Sequence, residues 1–527
     1  MAKFQYYVPI ETRLKEIADA DRGRKRMSIV VLGAGIAGLV TARELQKLGH
    51  HVEILEGSQR IGGRIYTHYF GDGQYGELGA MRIPEGQNYT FHYIKECGLS
   101  VGRFYNSNPK AFYSAAGVVT RIQDAPQTLF PLFDLSAEDR ALADSGGVGA
   151  VIGKYLDRLV DSLSDEAIRS LFELDDAHPS KYLARRKIDA QSYLEYLTDN
   201  VDTMGALDFM GVLQSLEEIW ETSMTIRVRG AAASMGNNLY EIVGGMSRLP
   251  ETVGKQVGGV IRLGQEITAI DASTNPATFQ IRDTKTGRTT SRQSDAIVCT
   301  IPFSVLRRMA LNGFSQAKLA SIRNLNYASS SKVLLHCRDR FWQRPHYGIF
   351  SGGSIAQGIS RQTYYPNDQH PRYLVPWPEP TRRHDLHAFM RGVDGEALEA
   401  DAPRPAPDPG VLLASYTWGM EARRIGALSP DARIKVMTEA VAAFHPEIAE
   451  YVDDGASIFW DQHPWSMGAY GHPLPYGLEM NYPAALTPEG VVYFSGEHLS
   501  PEPGWIQGSI YSALRTVLEL VKSFPPG

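Results

Sequence analysis

The sequence lacks several features that would assign it to other classes of protein. Only three of its 527 residues are cysteines, and none forms a CxxC pair. Three cysteines cannot build a disulfide framework, which favours a reducing compartment. No stretch approaches the roughly 18 uncharged apolar residues of a membrane span, and residues 1–26 lack the apolar core of a secretion signal. We therefore expect a cytoplasmic protein that makes no membrane contact.

The charge balance and the arrangement of reactive side chains exclude further classes of protein. The formal net charge is −6, with 53 Lys and Arg against 59 Asp and Glu, so a basic surface for nucleic acid is not expected. No His or Cys cluster has the spacing of a metal site, and no GxSxG nucleophile motif is present. No histidine can be named as a general base. The length predicts two to four domains.

The N-terminal part has the order strand, glycine turn, helix, strand, acid. The apolar run SIVVL precedes GAGIAG, and the strand HVEIL ends at Glu56, eighteen residues after Gly38. Gly33 permits a tight turn, Gly35 lets the backbone approach a pyrophosphate, and Gly38 lets the helix pack closely on the strand. Glu56 can accept hydrogen bonds from ribose hydroxyls. This pattern predicts a dinucleotide-binding unit.

The glycines after this unit extend the prediction. Gly62, Gly63 and Arg64 supply a second close backbone approach and a cation near the phosphates. A second strand–GxGxxG–helix unit is not found. A flavoprotein reduced by NADPH usually needs a second nucleotide site, so we expect electrons to come from the substrate itself.

Six further motifs occur in a fixed order along the chain. They are EGSQRIGGR (56–64), ELGAMRIP (77–84), YEIVGGMSRLP (240–250), SSSKVLLHCRDRFW (329–342), FWDQHPWSMGAY (459–470) and the run from SGEHL to GWIQGSI (495–510). Carrying these motifs, the chain resembles the flavin amine oxidase family, and within it the L-amino-acid oxidase branch. The resemblance covers most of the chain and is weakest over 105–235 and 366–409.

The resemblance implies FAD as the cofactor. Ala469 stands where monoamine oxidases carry the cysteine that bonds the flavin, so non-covalent binding is expected. Glu497 is expected on the ribityl chain, and the backbone of Ile267 at the adenine. With the glycine turn, the cofactor-binding set is Gly33, Gly35, Ala37, Gly38, Glu56, Gly57, Arg64, Gly79, Ala80, Met81, Arg82, Ile267, Trp460, Trp465, Glu497, Trp505, Ile506 and Ser509.

An arginine in an apolar run, as in ELGAMRIP, is unfavourable unless an anion meets it. The resemblance implies that Arg82 and Tyr416 clamp the α-carboxylate of an amino acid. The alternative is that Arg82 caps a helix or pairs with Glu85. The resemblance also assigns Lys332 a catalytic role, holding a water at flavin N5, against a strand-edge lysine facing solvent.

Three more residues are assigned to substrate binding: Gly504, Trp505 and Trp220. Ordinary core packing remains the alternative for the two tryptophans. The aromatic candidates suggest a roomy pocket, while the acids at Glu217 and Glu218 leave a cationic substrate open. The side-chain preference of the substrate is therefore not predicted.

The predicted fold class is α/β, with a Rossmann-like FAD-binding domain, a mixed-sheet substrate domain and an inserted helical domain. The FAD-binding domain is expected at 27–65, 241–325 and 485–527. The substrate-binding domain is expected at 1–26, 66–122 and 326–484, and the helical domain at 123–240. Residues 366–409 hold nine of the thirty prolines and are interpreted as a lid or subunit contact.

The function that the resemblance implies is oxidative deamination of an L-amino acid by oxygen. Hydride would pass from Cα to flavin N5, and the products would be a 2-oxo acid, ammonia and hydrogen peroxide. Three alternatives stay open: an L-amino-acid 2-monooxygenase that releases an amide, a dehydrogenase that uses another acceptor, and a non-catalytic flavin-binding protein. The expected partners are the amino acid, oxygen and further copies of the chain, as a homodimer or higher homo-oligomer.

Overall fold

The computed structural model describes residues 8–174, 185–215, 217–232, 238–370, 373–375 and 408–527. The described chain mixes helices and strands. Its α-helices are Ile10–Asp21, Ile36–Lys47, Asn88–Glu96, Ala125–Thr128, Ala137–Ser162, Asp165–Ser170, Tyr193–Asn200, Met204–Gln214, Met224–Ala232, Arg248–Val257, Phe303–Leu306, Gln316–Asn324, Gly419–Gly426, Pro430–Val441, Ile448–Tyr451, Gly477–Leu486 and Ile506–Ser523.

Five parallel strands form the sheet that carries the glycine turn, called here the parallel sheet. Their spatial order is Ile261–Leu263, His51–Glu56, Ser28–Leu32, Ala296–Cys299 and Val492–Phe494. The central strand is a continuous apolar run because both of its faces are covered. Ile29 and Val31 join one hydrophobic cluster, while Val30 and Leu32 join another, as the two-residue period of a strand requires.

Different layers cover the two faces of the parallel sheet. Helices Ile36–Lys47, Arg248–Val257 and Ile506–Ser523 pack on one face. A four-stranded sheet covers the other, in the order Thr289–Ser294, Ala277–Asp283, Gln265–Asp271 and Ala310–Asn312. Ligands of open α/β sheets bind beyond the carboxyl ends of the parallel strands, which is where the glycine turn lies.

A seven-stranded sheet forms the second large unit. Its order is Val452–Phe459, Ser330–Cys337, Gly410–Trp418, Gln362–Tyr364, Gly353–Ala356, Phe112–Ala115 and Val118–Arg121. In strand Ser330–Cys337, Val333 and Leu335 face the helices Gly419–Gly426 and Pro430–Val441. Leu334 faces the opposite side, where Leu78 and Met81 pack. Lys332 shares the side of Leu334 by the two-residue period.

Smaller sheets and a helical layer complete the described fold. A second four-stranded sheet has the order Leu374–Val375, Val101–Phe104, Leu239–Ile242 and Ile83–Pro84. Two-stranded pairs are Thr67–Tyr69 with Tyr75–Glu77, and Tyr327–Ala328 with Tyr470–Gly471. The helices between residues 125 and 232 bury their own apolar cluster and contact the chain beyond Tyr470, where Ser223 N donates to Pro473 O at 2.9 Å.

The predicted α/β class is confirmed in its coarse form, a mixture of helices and sheets. The segments that supply the parallel sheet fall within the three ranges predicted for the FAD-binding domain, but the domain boundaries stay predictions. Most of the proline-rich range 366–409 lies outside the described residues. The interpretation of this range as a lid or subunit contact therefore stays a prediction. None of the helices described is long and apolar enough to cross a membrane.

Candidate active site

The glycine turn opens the helix Ile36–Lys47 as the sequence predicts. Gly33 has a φ of +107°, in the region that favours glycine. A Cβ on Gly38 would lie 2.0 Å from the carbonyl oxygen of Gly33, so the helix approaches the strand at a distance that only glycine allows. A Cβ on Gly35 would meet nothing within 4 Å. The backbone at Gly35 therefore faces open space at the helix N-terminus, the position suited to a phosphate.

Glu56 closes the second strand beside this turn. Its carboxylate accepts hydrogen bonds from the backbone N–H groups of Ala34, at 2.7 Å, and Ser58, at 2.8 Å. These bonds fix the carboxylate at the mouth of the turn, with lone pairs left for a ribose. The following residue, Gly57, has no room for a side chain, because a Cβ would lie 2.4 Å from the ring of Trp465.

Arg64 and Glu497 form an ion pair that joins the two ends of the chain. Arg64 Nη1 lies 2.6 Å from Glu497 Oε1 and also donates to Ala469 O at 3.1 Å. The Glu497 carboxylate accepts from the backbone N–H of Gly504 at 2.8 Å and of Gly471. Burial alone would raise the pKa of Glu497, but the Arg64 guanidinium and the Gly504 N–H hold that pKa below its usual value.

The ion pair is a contact that the sequence did not predict for Arg64. In the structure its guanidinium pairs with the buried carboxylate of Glu497, and its expected role as a cation near the phosphates stays a prediction. Glu497 begins the short 3-10 helix Glu497–Leu499, which follows the strand Val492–Phe494 of the parallel sheet. The expectation that Glu497 serves the ribityl chain stays a prediction, and both residues line the cavity described next.

A cavity of about 1080 Å³ extends from the glycine turn to the seven-stranded sheet. This is the upper end of the usual size for a cofactor site. Its walls include most of the predicted residues: Gly33, Gly35, Ala37, Glu56, Gly57, Arg64, Gly79, Ala80, Ile267, Lys332, Tyr416, Trp460, Trp465, Glu497, Gly504, Trp505, Ile506 and Ser509. None of the three cysteines lines it.

Four predicted residues do not line this cavity: Gly38, Met81, Arg82 and Trp220. Gly38 packs against the backbone of Gly33 behind the turn. The sulfur of Met81 lies 3.3 Å from Lys332 Nζ. The prediction that Trp220 lines the pocket is corrected. Trp220 is 2 % exposed within the helical cluster, with its ring at 5.8 Å from that of Tyr193. Its apolar surface is buried by the packing of the helices and does not face the cavity.

Lys332 projects into the far end of the cavity and is buried. Its Nζ donates to the carbonyl oxygens of Gly79, at 2.6 Å, and Glu77, at 3.2 Å. It lies 4.3 Å from the ring centroid of Tyr416, which is its direct partner across the antiparallel strands. The alternative of a strand-edge lysine facing solvent is therefore wrong. Burial lowers the pKa of Lys332, Glu77 opposes that effect and Arg82 adds to it.

Arg82 is half-buried beside this end of the cavity. Its Nη1 donates to Asn106 Oδ1 at 2.6 Å and to the hydroxyl of Tyr364 at 3.3 Å. In the part of the chain that the structure describes, no carboxylate lies within ion-pair distance of it. Glu85, the alternative partner, accepts instead from Asn238. The hydrogen-bond partners of Arg82 in these residues are uncharged, so they do not neutralise its positive charge.

Sequence reasoning missed the residues that hold this arginine. Asn106, Gln362 and Tyr364 form one hydrogen-bonded group around Arg82, since the Tyr364 hydroxyl also bonds Asn106 at 3.1 Å and Gln362 at 3.0 Å. Gln362 in turn pairs with Tyr416 across two strands. These polar residues carry no motif, and only the strand pairing brings them together, so no signal in the sequence could have identified them.

Comparisons with known proteins agree with this geometry. A family model described as flavin containing amine oxidoreductase matches residues 36–521. The chain is 33 % identical to the flavin-dependent L-tryptophan oxidase RebO of Lentzea aerocolonigenes, covering 94 % of this chain and 98 % of that protein. It is 31 % identical to the putative L-amino-acid oxidase YobN of Bacillus subtilis, covering 93 % and 94 %.

More distant relatives extend the likeness. An L-amino-acid oxidase of Mus musculus is 27 % identical, covering 96 % of this chain and 72 % of that protein. A redesigned putrescine oxidase and the cyclohexylamine oxidase of Brevibacterium oxydans each superpose with a TM-score of 0.66 at 17 % identity, covering 94 % of this chain and 99 % of theirs. At that identity the two structures support the fold alone.

Proposed function

The chain belongs to the flavin-containing amine oxidoreductases, and we propose that it oxidises the α-amino group of an L-amino acid with oxygen as the electron acceptor. The observation that carries this proposal is one continuous cavity. One of its ends has the glycine turn suited to a dinucleotide, and the other has Lys332 and Tyr416 beside Arg82, which has no acidic partner among the described residues. The relatives named above include oxidases of L-tryptophan and of L-amino acids.

The residues around the cavity fit FAD. Gly35 leaves the helix N-terminus open to the diphosphate, and Glu56 offers its carboxylate to the ribose. A second helix, Ile506–Ser523, begins at the cavity with Trp505 as its N-cap, and its N–H groups suit the ring system. Ala469 offers no atom for a covalent bond, and the binding is non-covalent in this proposal.

Arg82 and Tyr416 bind the substrate carboxylate. A guanidinium can hold a carboxylate through two parallel hydrogen bonds, and the neutral partners of Arg82 leave its charge for that purpose. Burial raises the pKa of Tyr416 to about 12 even though the Arg82 charge lowers it. The tyrosine hydroxyl therefore keeps its proton at neutral pH and can donate it in a hydrogen bond.

Lys332, in the cavity wall beside Tyr416, would hold a water at the reacting end of the cavity. The oxidation itself is chemistry that the flavin supplies when bound: two electrons leave the Cα–N unit of the substrate and pass to oxygen. The protein's residues bind and orient the amino acid, and the released imino acid hydrolyses to a 2-oxo acid and ammonia. Oxidative deamination is favoured over release of an amide because the relatives are named oxidases.

Product analysis tests the proposal directly. The purified yellow protein is incubated in air with each common amino acid in both enantiomers, and the products are identified by mass spectrometry. The expected products are a 2-oxo acid and hydrogen peroxide, from L-enantiomers alone. A shortened amide would identify a monooxygenase, and the absence of any consumption would contradict the proposal.

Removal of the arginine tests the carboxylate site. Loss of a buried partner of a charge costs about 2–5 kcal/mol, which corresponds to a rise in KM of roughly 30-fold or more for Arg82→Met. Steady-state kinetics with the preferred substrate measure it. The matched control is Arg103→Met, because Arg103 bonds Asn238. The charge of Arg103 acts on Tyr240, whereas the charge of Arg82 acts on Lys332 and Tyr416 in the cavity wall. Equal KM values for both variants would contradict the clamp.

A further inference from the structure

The hydrogen bonds of Arg82 are confined to one nitrogen of its guanidinium. Nη1 donates to Asn106 Oδ1 at 2.6 Å and to the hydroxyl of Tyr364 at 3.3 Å. A guanidinium has five N–H donors, two on each Nη and one on Nε, so these two acceptors use both donors of Nη1. Among the described residues, Nε and Nη2 have no hydrogen-bond partner. The remaining donors include the parallel pair of the Nε–Nη2 edge, which matches a carboxylate.

Asn106 reaches Arg82 from the connection between strands Val101–Phe104 and Phe112–Ala115. The residue is exposed, and its amide nitrogen has no acceptor within the described ranges of the chain. An amide oxygen is a neutral acceptor, so it fixes the direction of Nη1 and leaves the charge of the guanidinium uncompensated. An aspartate in this place would fix the same direction but would neutralise that charge. The type of residue therefore matters as much as its position.

Tyr364 is held in place by a helix of the helical layer, residues 125–232. Its hydroxyl lies 3.0 Å from Gln362 Oε1, and Gln362 Nε2 donates to the carbonyl oxygen of Gln214 at 3.0 Å. Gln214 ends its helix, so Gln362 satisfies a carbonyl that the last helical turn leaves without an intrahelical partner. Both Tyr364 and Gln362 are buried. A continuous series of hydrogen bonds therefore runs from the end of this helix to Arg82.

An ion pair fixes the same junction. Arg361, which precedes Gln362, pairs with Glu217 shortly after the end of the same helix, and Arg361 is buried. Arg361 also pairs through its backbone with Tyr416, the tyrosine proposed for the substrate carboxylate. The pair compensates the charge of Glu217, one of the acids that left a cationic substrate open. The helical layer is thus tied to both residues of the carboxylate site.

We propose that Asn106 and Gln362 are positioning residues of the carboxylate site, which act through Arg82. Asn106 and Tyr364 occupy Nη1, and Gln362 holds Tyr364 against the helical layer. The Nε–Nη2 edge is then presented to the substrate carboxylate with its charge intact. The inference rests on the proposed function, because it takes Arg82 to be the site of the α-carboxylate. No covalent bond changes and no proton moves at these residues.

Equilibrium binding to the flavin-loaded protein tests the proposal. The probe is indole-3-propanoate, which has a carboxylate but no α-amino group to oxidise, and the neutral indole-3-propanamide is the ligand control. Calorimetry measures the Kd of both. We expect Asn106→Ala and Gln362→Met each to weaken binding of the carboxylate by about threefold or more, the weight of one ordinary hydrogen bond. The affinity for the amide should not follow, and in steady-state kinetics the effect should fall on KM.

Further variants test whether the residues act through the arginine. In an Arg82→Met background, Asn106→Ala should not change the affinity for the carboxylate, because no guanidinium is left to orient. Asn106→Asp keeps the acceptor oxygen and should weaken carboxylate binding more than Asn106→Ala does, because the aspartate neutralises the guanidinium. The matched control is Asn108→Ala in the same connection, since Asn108 bonds Ser351 O and the N–H of Lys110. It should bind the carboxylate as wild type does.

The outcomes separate this inference from the proposed function. Equal affinity of wild type and Arg82→Met for indole-3-propanoate, or no binding at all, would overturn the carboxylate site and the inference with it. With that site intact, wild-type affinity in Asn106→Ala, Asn106→Asp or Gln362→Met, or an equal loss in Asn108→Ala, would overturn the inference alone. An effect of Asn106→Ala that persists without Arg82 would do the same. A loss confined to the carboxylate probe that vanishes in the Arg82→Met background would support the proposal.

Discussion

Two glycines of one turn are constrained by different neighbours, and this difference can be tested. Gly38 faces the carbonyl of Gly33, where a Cβ would lie 2.0 Å away, whereas Gly35 faces open space. We expect Gly38→Ala to destabilise the protein even without flavin, by about 1–3 kcal/mol or more, because the helix must move off the strand. Thermal unfolding of the apoprotein measures this effect.

Gly35→Ala is the matched control for that prediction. It should leave the unfolding temperature of the apoprotein near that of wild type and weaken the binding of FAD, because the added methyl group points to where the diphosphate is proposed to lie. Flavin fluorescence titration measures the affinity. If Gly35→Ala destabilised the apoprotein as much as Gly38→Ala, the assignment of separate roles would be wrong.

At the same scale, most of the residues that the sequence predicted do line the cavity, but their partners were not predicted. The glycine spacing and Glu56 could be interpreted from local chemistry alone, because each acts within one short segment. The pairing of Arg64 with Glu497 could not, because 433 positions separate the two residues. Trp220 illustrates the opposite error, since a buried tryptophan has the same sequence signature in a core as in a pocket.

At the scale of elements, Arg340 ties the described chain together at both borders of the proline-rich range. Its guanidinium bonds the Asp368 carboxylate through two nitrogens, at 2.7 and 2.9 Å, and Nε donates to Pro409 O at 2.9 Å. The side chain is 2 % exposed. One buried arginine thus fixes the start of strand Gly410–Trp418, which carries Tyr416.

We expect Arg340→Lys to lower stability by about 2 kcal/mol or more, because an ammonium cannot reproduce the two parallel bonds of a guanidinium. The transition midpoint in a urea titration measures the loss. Arg344→Lys is the matched control, since Arg344 forms an exposed ion pair with Asp339, and such pairs contribute little. Similar losses in both variants would contradict the role given to Arg340.

The elements differ in how far the sequence could predict them. Strand Ser28–Leu32 and helix Ile36–Lys47 follow from an apolar run and a glycine turn. Strand Gln362–Tyr364 is three residues long and has no distinctive pattern, yet it holds Tyr364, which bonds Arg82, and Gln362, which bonds Tyr364. Its position is set by pairing with Gly410–Trp418, a long-range contact that local propensity does not encode.

At the scale of the whole molecule, His336 joins separate parts of the fold through its charge. Its Nδ1 lies 2.5 Å from Asp453 Oδ1 on the edge strand, and Nε2 lies 2.9 Å from Asp72 Oδ2 in the hairpin turn. Burial lowers the pKa of His336, but the two carboxylates outweigh it and raise the pKa above 6.5. The folded protein therefore binds this proton more tightly than the unfolded chain.

The sign of the resulting pH dependence follows from this raised pKa. The stabilisation is fully present below about pH 6.5, the pKa of an unperturbed histidine, and it is lost as the pH rises through the folded value. We expect the stability of wild type to change less favourably between pH 6 and 9 than that of His336→Gln, because only wild type has this histidine proton to release. Urea midpoints at these two pH values measure the difference.

The exposed His51 provides the control for that comparison. His51→Gln should show the same pH dependence as wild type, since the other titrating groups of the molecule are unchanged in it. A slope in His336→Gln equal to that of wild type would mean that the two carboxylates do not hold the proton. A more favourable change in stability with rising pH in His336→Gln, and not in His51→Gln, would assign that part of the pH dependence to His336, which links the hairpin turn, the edge strand and the strand of Lys332.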